Sequence, residues 1–137
     1  MKSTPFPSLF LPALIAIGLV IATLPFGLAQ GDTNQSGIIS SNTTWTIAGS
    51  PYTLTGNLLV ENGVTLTINA GTTVNLGSYY IMVNGVLTAK GTSISPIVFN
   101  GGSITFTYSC VGWNEQTQSG CIIENAILTT TVSSEKE

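Results

Sequence analysis

The sequence of 137 residues predicts an all-β solenoid, because short segments rich in Thr and Val recur and each ends in a glycine. From Asn57 to Gly101 the run reads NLLVENG, VTLTINAG, TTVNLG, SYYIMVNG, VLTAKG and TSISPIVFNG. The closing glycines are Gly63, Gly71, Gly77, Gly85, Gly91 and Gly101. From each of the first three glycines to the third one after it, the distance is roughly 20 to 25 residues, which is the period of a solenoid. A strand–turn unit with this period buries its apolar face only against neighbouring coils.

Three strands in each coil indicate a parallel β-helix of about three coils, each of roughly 22 residues, over residues 57–132. Val64, Leu66 and Ile68 alternate with polar residues, as expected of a strand with one buried face. We therefore expect these three side chains to point inward. Ile104 and Phe106 continue the alternation, and the segment CIIENAIL, residues 121–128, predicts one strand of a further coil.

Residues 1–29 have the three parts of a secretory signal peptide. Lys2 gives the positive start, residues 9–24 form an apolar centre, and Ala29 ends a cleavage site of small residues. The alternative is an uncleaved N-terminal membrane anchor, because the apolar residues 6–29 exceed the roughly 20 that span a bilayer. Both interpretations place the remaining chain outside the cytoplasm, so we expect a secreted or cell-surface protein.

The sequence is less regular on either side of the predicted coils. Residues 30–43 are polar and turn-rich, which predicts a flexible leader, and residues 45–54 alternate weakly around a Gly-Ser-Pro turn. We expect a leader and an N-terminal cap over residues 30–56, since a solenoid needs its first coil covered. At the other end, residues 133–137 predict a polar tail.

The charged residues exclude one class of partner. After residue 29 the chain has six acidic residues and two lysines, Lys90 and Lys136, which gives a net charge of −4. A phosphate-binding surface requires clustered cations, and the sequence has no Arg and no His, so nucleic-acid binding is excluded. Surface charge keeps soluble proteins apart, so this scarcity of charge favours self-association or packing against neighbouring surface proteins. Glycosylation would also solubilise such a surface.

Cys110 and Cys121 are the two cysteines of the chain and bound a polar loop, residues 110–121. An even pair in an exported chain favours a disulfide, with free thiols or an intermolecular bond as alternatives. Two cysteines without a histidine supply too few ligands for a zinc site. We expect no metal and no cofactor.

Two asparagines, Asn34 and Asn42, lie in N-x-S/T sequences that fit the N-glycosylation pattern. Both fall in the predicted leader, where an acceptor would be exposed.

A candidate interface surrounds the strand that contains Ile81 and Val83. If these two side chains point inward, Tyr80 and Met82 project outward, with Tyr79 beside them. Exposed aromatic and Met side chains are enriched at protein interfaces, which favours an interface at Tyr79, Tyr80 and Met82. The alternative is a tyrosine that simply covers a turn.

No amphipathic helix or other apolar segment follows Leu128 to cover the last predicted coil. An uncovered coil exposes strand edges that template pairing with another chain. Three explanations stay open: a fragment of a longer β-helix, ends covered by other copies, or a loop or tail folded over the end.

The run over residues 58–101 resembles the opening coils of right-handed parallel β-helix proteins of the pectate-lyase-like type. More narrowly, it resembles those built into archaeal and bacterial cell-surface proteins. The resemblance lies in V-x-x-G-V-T-L-T-I with A-G-T-T-V, then V-N-G-x-L-x-A-x-G-T, then P-I-x-F. Ala70 departs from it, since the family usually has a proline before that glycine. The resemblance implies the fold more than a function, because such proteins range from sugar-cleaving enzymes to adhesins and surface-layer components.

Candidate catalytic chemistry is weak in this sequence. The resemblance implies that polysaccharide lyases of this fold use acidic residues to hold calcium and a basic residue to remove a proton. Glu61 and Asn84 are a poor calcium set, because calcium takes six to eight oxygen ligands. Glycoside hydrolysis requires two placed carboxylates, and no acidic pair is close in sequence. We therefore predict no catalytic residues and no enzyme activity.

The sequence as a whole favours an exported structural or cell-surface β-helix module. It would act through self-association or packing with neighbouring domains, as a filament or surface-layer component. The alternative is a carbohydrate-binding or polysaccharide-cleaving β-helix, which includes a truncated fragment of one, with glycans as its partners.

Overall fold

The computed structural model describes residues 31–135, which fold into a parallel β-solenoid of about three turns. Within this range there is no α-helix, and a short 3-10 turn, Ile47–Gly49, separates the second strand from the third. The ten strands are β1 (Thr33–Ile39), β2 (Thr43–Trp45), β3 (Tyr52–Val60), β4 (Thr65–Asn69), β5 (Thr73–Val83), β6 (Val86–Lys90), β7 (Ile97–Phe106), β8 (Ile122–Glu124), β9 (Ala126–Leu128) and β10 (Thr131–Ser134).

The strands form two sheets in which every named pair is parallel. One sheet has the order β1-β3-β5-β7-β10, with β9 also paired to β7, and the other has the order β2-β4-β6-β8. Thr53 pairs with Asn75 and Asn75 with Asn100. These partners are 22 and 25 residues apart in the chain. This confirms the predicted all-β parallel solenoid and its coil length.

The long strands bend, which gives each coil three faces. Face 1 is the sheet β2-β4-β6-β8. Face 2 contains the first halves of the long strands together with β9, which pairs with Ile97–Phe99. Face 3 contains the second halves together with β10, which pairs with Ser103–Phe106 of the same strand. Glycine is required at the bend, because a Cβ on Gly101 (φ +68°) would lie 2.7 Å from the carbonyl oxygen of Gly77.

The core is a set of columns of inward-facing apolar side chains. Val64, Leu66 and Ile68 are all buried, as predicted from their alternation, and Ile104 is buried in a later coil. A side chain of one coil packs on the side chain at the same register position in the coil above. Removal of this apolar surface from water is the main stabilising contribution.

A hydrogen-bonded ladder of polar side chains runs along the outside of face 2. Asn100 Nδ2 donates to Asn75 Oδ1 at 3.0 Å, and Asn75 Nδ2 donates to Thr53 Oγ1 at 3.4 Å. Thr129 Oγ1 extends the ladder to the last coil by donating to Asn100 Oδ1 at 3.4 Å. The side-chain amides therefore bind successive coils to one another, in addition to the backbone hydrogen bonds.

Most of residues 30–56, for which a flexible leader and an N-terminal cap are expected, is extended strand in the structure. Thr33–Ile39 is a strand that pairs in parallel with β3, and Thr43–Trp45 pairs with β4. The local sequence is rich in turn formers, but hydrogen bonding to the next coil satisfies its backbone groups and holds it extended. The coils therefore begin well before Asn57.

The structure also changes two details at the C-terminal side. The CIIENAIL segment forms two strands, β8 and β9, because Asn125 has a left-handed backbone conformation (φ 48°) and turns the chain between them. Ser133 and Ser134 of the expected polar tail belong to β10.

The predicted signal peptide or membrane anchor, residues 1–29, lies outside the described residues. Within residues 31–135 no helix has the length and apolar character required to cross a bilayer.

Candidate functional site

A disulfide joins Cys110 to Cys121 and closes the loop between β7 and β8. This confirms the predicted pairing. Inside the loop, Asn114 Oδ1 accepts hydrogen bonds from the backbone N–H groups of Gln116 (2.9 Å) and Thr117 (3.1 Å). The side-chain amide thus shapes the turn.

The disulfide loop lies against the outer side of face 1. Thr88 Oγ1 donates to the carbonyl oxygen of Gly120 at 3.2 Å, which fixes the end of the loop to β6. Lys90 Nζ stands 4.8 Å from the centroid of the Trp113 ring and 3.5 Å from Glu124 Oε2. Lys90, Trp113 and Glu124 therefore form one cluster of an aromatic ring and an exposed ion pair, which we call the loop cluster.

A cavity of about 360 Å³ lies within the last turn of the solenoid. Its walls are mainly apolar and include Phe106, Cys110, Cys121, Ile123 and Val132. Val132 in β10 is 42% exposed, so the side chains of this turn do not fill the interior as those of the central turns do.

On the outer side of face 3, the first three coils present a column of apolar side chains. Ile38, Leu59 and Met82 occupy one register position in three successive coils. Ile38 is 62% exposed, and Leu59 and Met82 are partly exposed. In the next two coils the same position holds Thr105 and Ser133. We call Ile38, Leu59 and Met82, together with Tyr80, the face 3 patch.

The three predicted interface residues do not share one environment in the structure. Ile81 and Val83 are fully buried, so Tyr80 (39% exposed) and Met82 point outward as expected. Tyr79 is partly buried and packs against the core. Whether Tyr79, Tyr80 and Met82 contact a partner stays a prediction.

Sequence reasoning missed Ile38 and Leu59 as members of the same surface. Ile38 falls in the predicted leader, and Leu59 lies in an apolar run, NLLV, that gives no clear alternation. The signal that could have found them is the coil spacing, since Ile38, Leu59 and Met82 recur once in each coil and pair in register.

The two predicted glycosylation residues are both exposed and close to the same end of the solenoid. Asn34 lies in β1 and pairs in register with Thr53 of face 2. Asn42 precedes β2, and its Oδ1 accepts a hydrogen bond from the backbone N–H of Thr65 at 2.9 Å. Their modification stays a prediction.

The candidate calcium residues have structural contacts instead. Thr107 Oγ1 donates to Asn84 Oδ1 at 2.9 Å, which uses the Asn84 side chain to join two coils. Across residues 31–135, no group of three or more His, Cys, Asp or Glu side chains could hold a metal ion.

Fold and surfaces together define a parallel β-helix domain with an apolar patch on one lateral face and a disulfide-bounded loop. The family model described as pectate-lyase like beta helix domain matches residues 37–112, more than half of the chain. The chain belongs to this family. No curated protein and no solved structure matches it. The matched range begins inside β1, in agreement with coils that start before Asn57.

Proposed function

We propose that this chain is an exported, non-catalytic β-helix module of the cell surface. It acts by self-association or by packing against neighbouring domains, in a filament or a surface layer. The observation that carries the proposal is the face 3 patch, an outward apolar column on a lateral sheet face.

The face 3 patch has the character of an interface core. None of the residues in the rungs of face 3 carries a charge, so two such faces approach without electrostatic repulsion. Apolar, aromatic and Met side chains are enriched at the centre of interfaces, and charged residues are depleted there. Contact through this face would remove Ile38, Leu59 and Met82 from water.

The column also fits a symmetric pair. In a two-fold interface the same surface of each copy meets itself, so residue i contacts residue j and j contacts i. A two-fold axis through Leu59 would set Ile38 of one copy against Met82 of the other. Lateral pairing of this kind leaves the C-terminal coil end free for a further contact, and lateral and end contacts together can build a filament or a layer.

Export is supported by the disulfide and by the signal-like pattern of residues 1–29. Disulfides persist in oxidising compartments and are rare in the cytosol. The absence of catalysis is supported by the position of Lys90, which pairs with Glu124 and faces Trp113 instead of a substrate cleft.

Glycan binding is a second candidate, and the loop cluster favours it. The Trp113 ring is partly exposed, has Lys90 over one face and lies beside the ion pair of Lys90 and Glu124 on an outer surface. Aromatic rings with a few placed polar groups are typical of small-molecule sites.

The experiment that tests the main proposal measures particle mass by light scattering for the secreted chain and for the double variant Leu59→Ser/Met82→Ser. We expect the double variant to lose at least half of the wild-type particle mass, since two faces no longer exclude water. Val98→Ser is the matched control, because Val98 is a partly exposed outward residue of face 2.

Equal particle mass for the wild type and the double variant would reject the face 3 patch. The second candidate is tested separately with Trp113→Ala in a glycan-binding screen. Loss of a bound glycan in that variant, with particle mass unchanged, would favour the glycan-binding function.

A further inference from the structure

The chain has ten asparagines, and only Asn34 and Asn42 lie in an N-x-S/T sequence. The sequence alone gives no reason for their position. The structure does: they lie on or beside the first strand of each sheet, β1 and β2. Both acceptor residues are exposed, and so are the hydroxyl residues of the two motifs, Ser36 and Thr44.

These two strands are the N-terminal edges of the solenoid. Among residues 31–135, β1 pairs only with β3 and β2 pairs only with β4. Asn34 is outward on face 2, in register with Thr53, and Asn42 adjoins face 1 through its hydrogen bond to Thr65. Face 3 and the C-terminal coil have no such motif.

Edge strands expose a row of unpaired N–H and C=O groups, which promotes pairing with another chain. Proteins usually protect them with lysine, proline, a bulge or a covering element. The segments TNQSGII of β1 and TTW of β2 have no charged residue and no proline. Charged residues and proline, two of the usual protections, are therefore missing from these two strands, and the register shift between Gln35 and Gly37 interrupts the edge of β1 at one point only.

We propose that Asn34 and Asn42 are both N-glycosylated and that the two glycans prevent strand pairing at the N-terminal edge. The acceptor Nδ2 attacks the anomeric carbon of a lipid-phosphate-linked oligosaccharide. The new C–N bond replaces the bond from that carbon to the phosphate oxygen, the lipid phosphate leaves, and the transferase takes the Nδ2 proton. Association is thereby directed to face 3 and to the C-terminal end. The inference rests on the export that the proposed function includes.

The test uses the full chain secreted from cultured eukaryotic cells, compared with the double variant Ser36→Ala/Thr44→Val. This variant removes both motifs but keeps Asn34 and the hydrogen bond from Thr65 to Asn42. Thr67→Val is the matched control, because Thr67 is the register neighbour of Thr44 and lies in no motif. The wild type and the double variant are also prepared with the additional substitutions Leu59→Ser and Met82→Ser, which remove the proposed lateral contact through face 3.

The readouts are intact mass and light scattering. We expect two glycans on the wild type, one on each of the single variants Ser36→Ala and Thr44→Val, and none on the double variant. In the background without lateral contact, loss of both glycans should raise particle mass at least about two-fold, since one edge contact joins two copies. A secreted chain without glycans, or equal particle mass with and without them, overturns this inference and leaves the proposed function intact. Retention of the chain in the cytosol overturns both.

Discussion

The two ends of the solenoid differ at the same register position. Trp45 in β2 and Ile123 in β8 belong to one inward column, whose central members are Ile68 and Ala89. Trp45 is 1% exposed, whereas Ile123 is only partly buried and lines the cavity of the last turn. Side chains at equivalent register positions are therefore buried to different degrees, because burial depends on the side chains of the neighbouring coil and on its turns.

An aromatic pair closes the N-terminal end. The rings of Trp45 and Tyr52 stack with their centroids 4.6 Å apart, and Tyr52 Oη accepts a hydrogen bond from the backbone N–H of Thr46 at 3.0 Å. Gly49 permits this arrangement, since a Cβ there would overlap the Tyr52 hydroxyl. The last described turn instead contains the cavity lined by Phe106, Ile123 and Val132.

The largest effect should come from Trp45→Ala at the closed end. Loss of a fully buried aromatic side chain costs about 3–5 kcal/mol of unfolding free energy. Ile123→Ala, at the same position of the open end, should cost about 1–2 kcal/mol, because part of that side chain is already in water. Urea unfolding monitored by circular dichroism measures both values.

Trp45→Phe is the control for ring stacking. It keeps an aromatic ring against Tyr52 and deletes an indole N–H that has no hydrogen-bond partner. We expect it to cost clearly less than Trp45→Ala. Equal losses for Trp45→Ala and Ile123→Ala would show that the two ends are energetically alike.

The second effect concerns the covalent bond at the open end. Replacement of Cys110 and Cys121 by Ser removes the constraint of a short loop on the unfolded chain, worth about 3 kcal/mol in the chain-entropy model. Hydrogen exchange should accelerate in β8, β9 and β10 and remain unchanged in β1 and β2. Faster exchange throughout the molecule would instead indicate one cooperative unit without distinct ends.

The third effect tests the ladder that links the two ends. Asn75→Ala removes the acceptor of Asn100 and the donor to Thr53, so we expect a loss of about 1 kcal/mol. Asn62→Ala is the matched control, because Asn62 is an exposed turn residue outside the ladder. Thermal unfolding of the two variants gives the comparison, and equal midpoints would mean that the ladder adds no stability.

The smallest effect is expected for the ion pair of the loop cluster. Lys90 and Glu124 are 40% and 48% exposed, and exposed pairs of this kind contribute about 0–1 kcal/mol. Lys90→Met should change unfolding free energy by less than about 0.5 kcal/mol, with little dependence on salt. A larger loss, measured in the same urea experiment, would assign the loop cluster a structural role at the open end.

The regular part of the fold follows from the sequence because its signals are local. Alternation at Val64, Leu66 and Ile68 predicted their burial, and the even pair of cysteines predicted their bond. Thr33–Ile39 could not be predicted this way, because only Ile39 in it is buried and its strand depends on pairing with β3. The face 3 patch depends on the register between coils. The bends at glycines set this register, and it cannot be derived from any single segment of the sequence.

The disulfide loop has a consequence for how this chain can vary. Thr88 of β6 pairs with Ile122 across the whole loop, whereas Leu66 of β4 pairs with Leu87 after one ordinary coil. The extra residues leave the solenoid at a corner and return to the same column, so the parallel pairing of β6 with β8 is kept across the insertion. The length of the loop can therefore change without a change in core geometry. A foreign peptide inserted at this corner would be held at its base by the disulfide between Cys110 and Cys121.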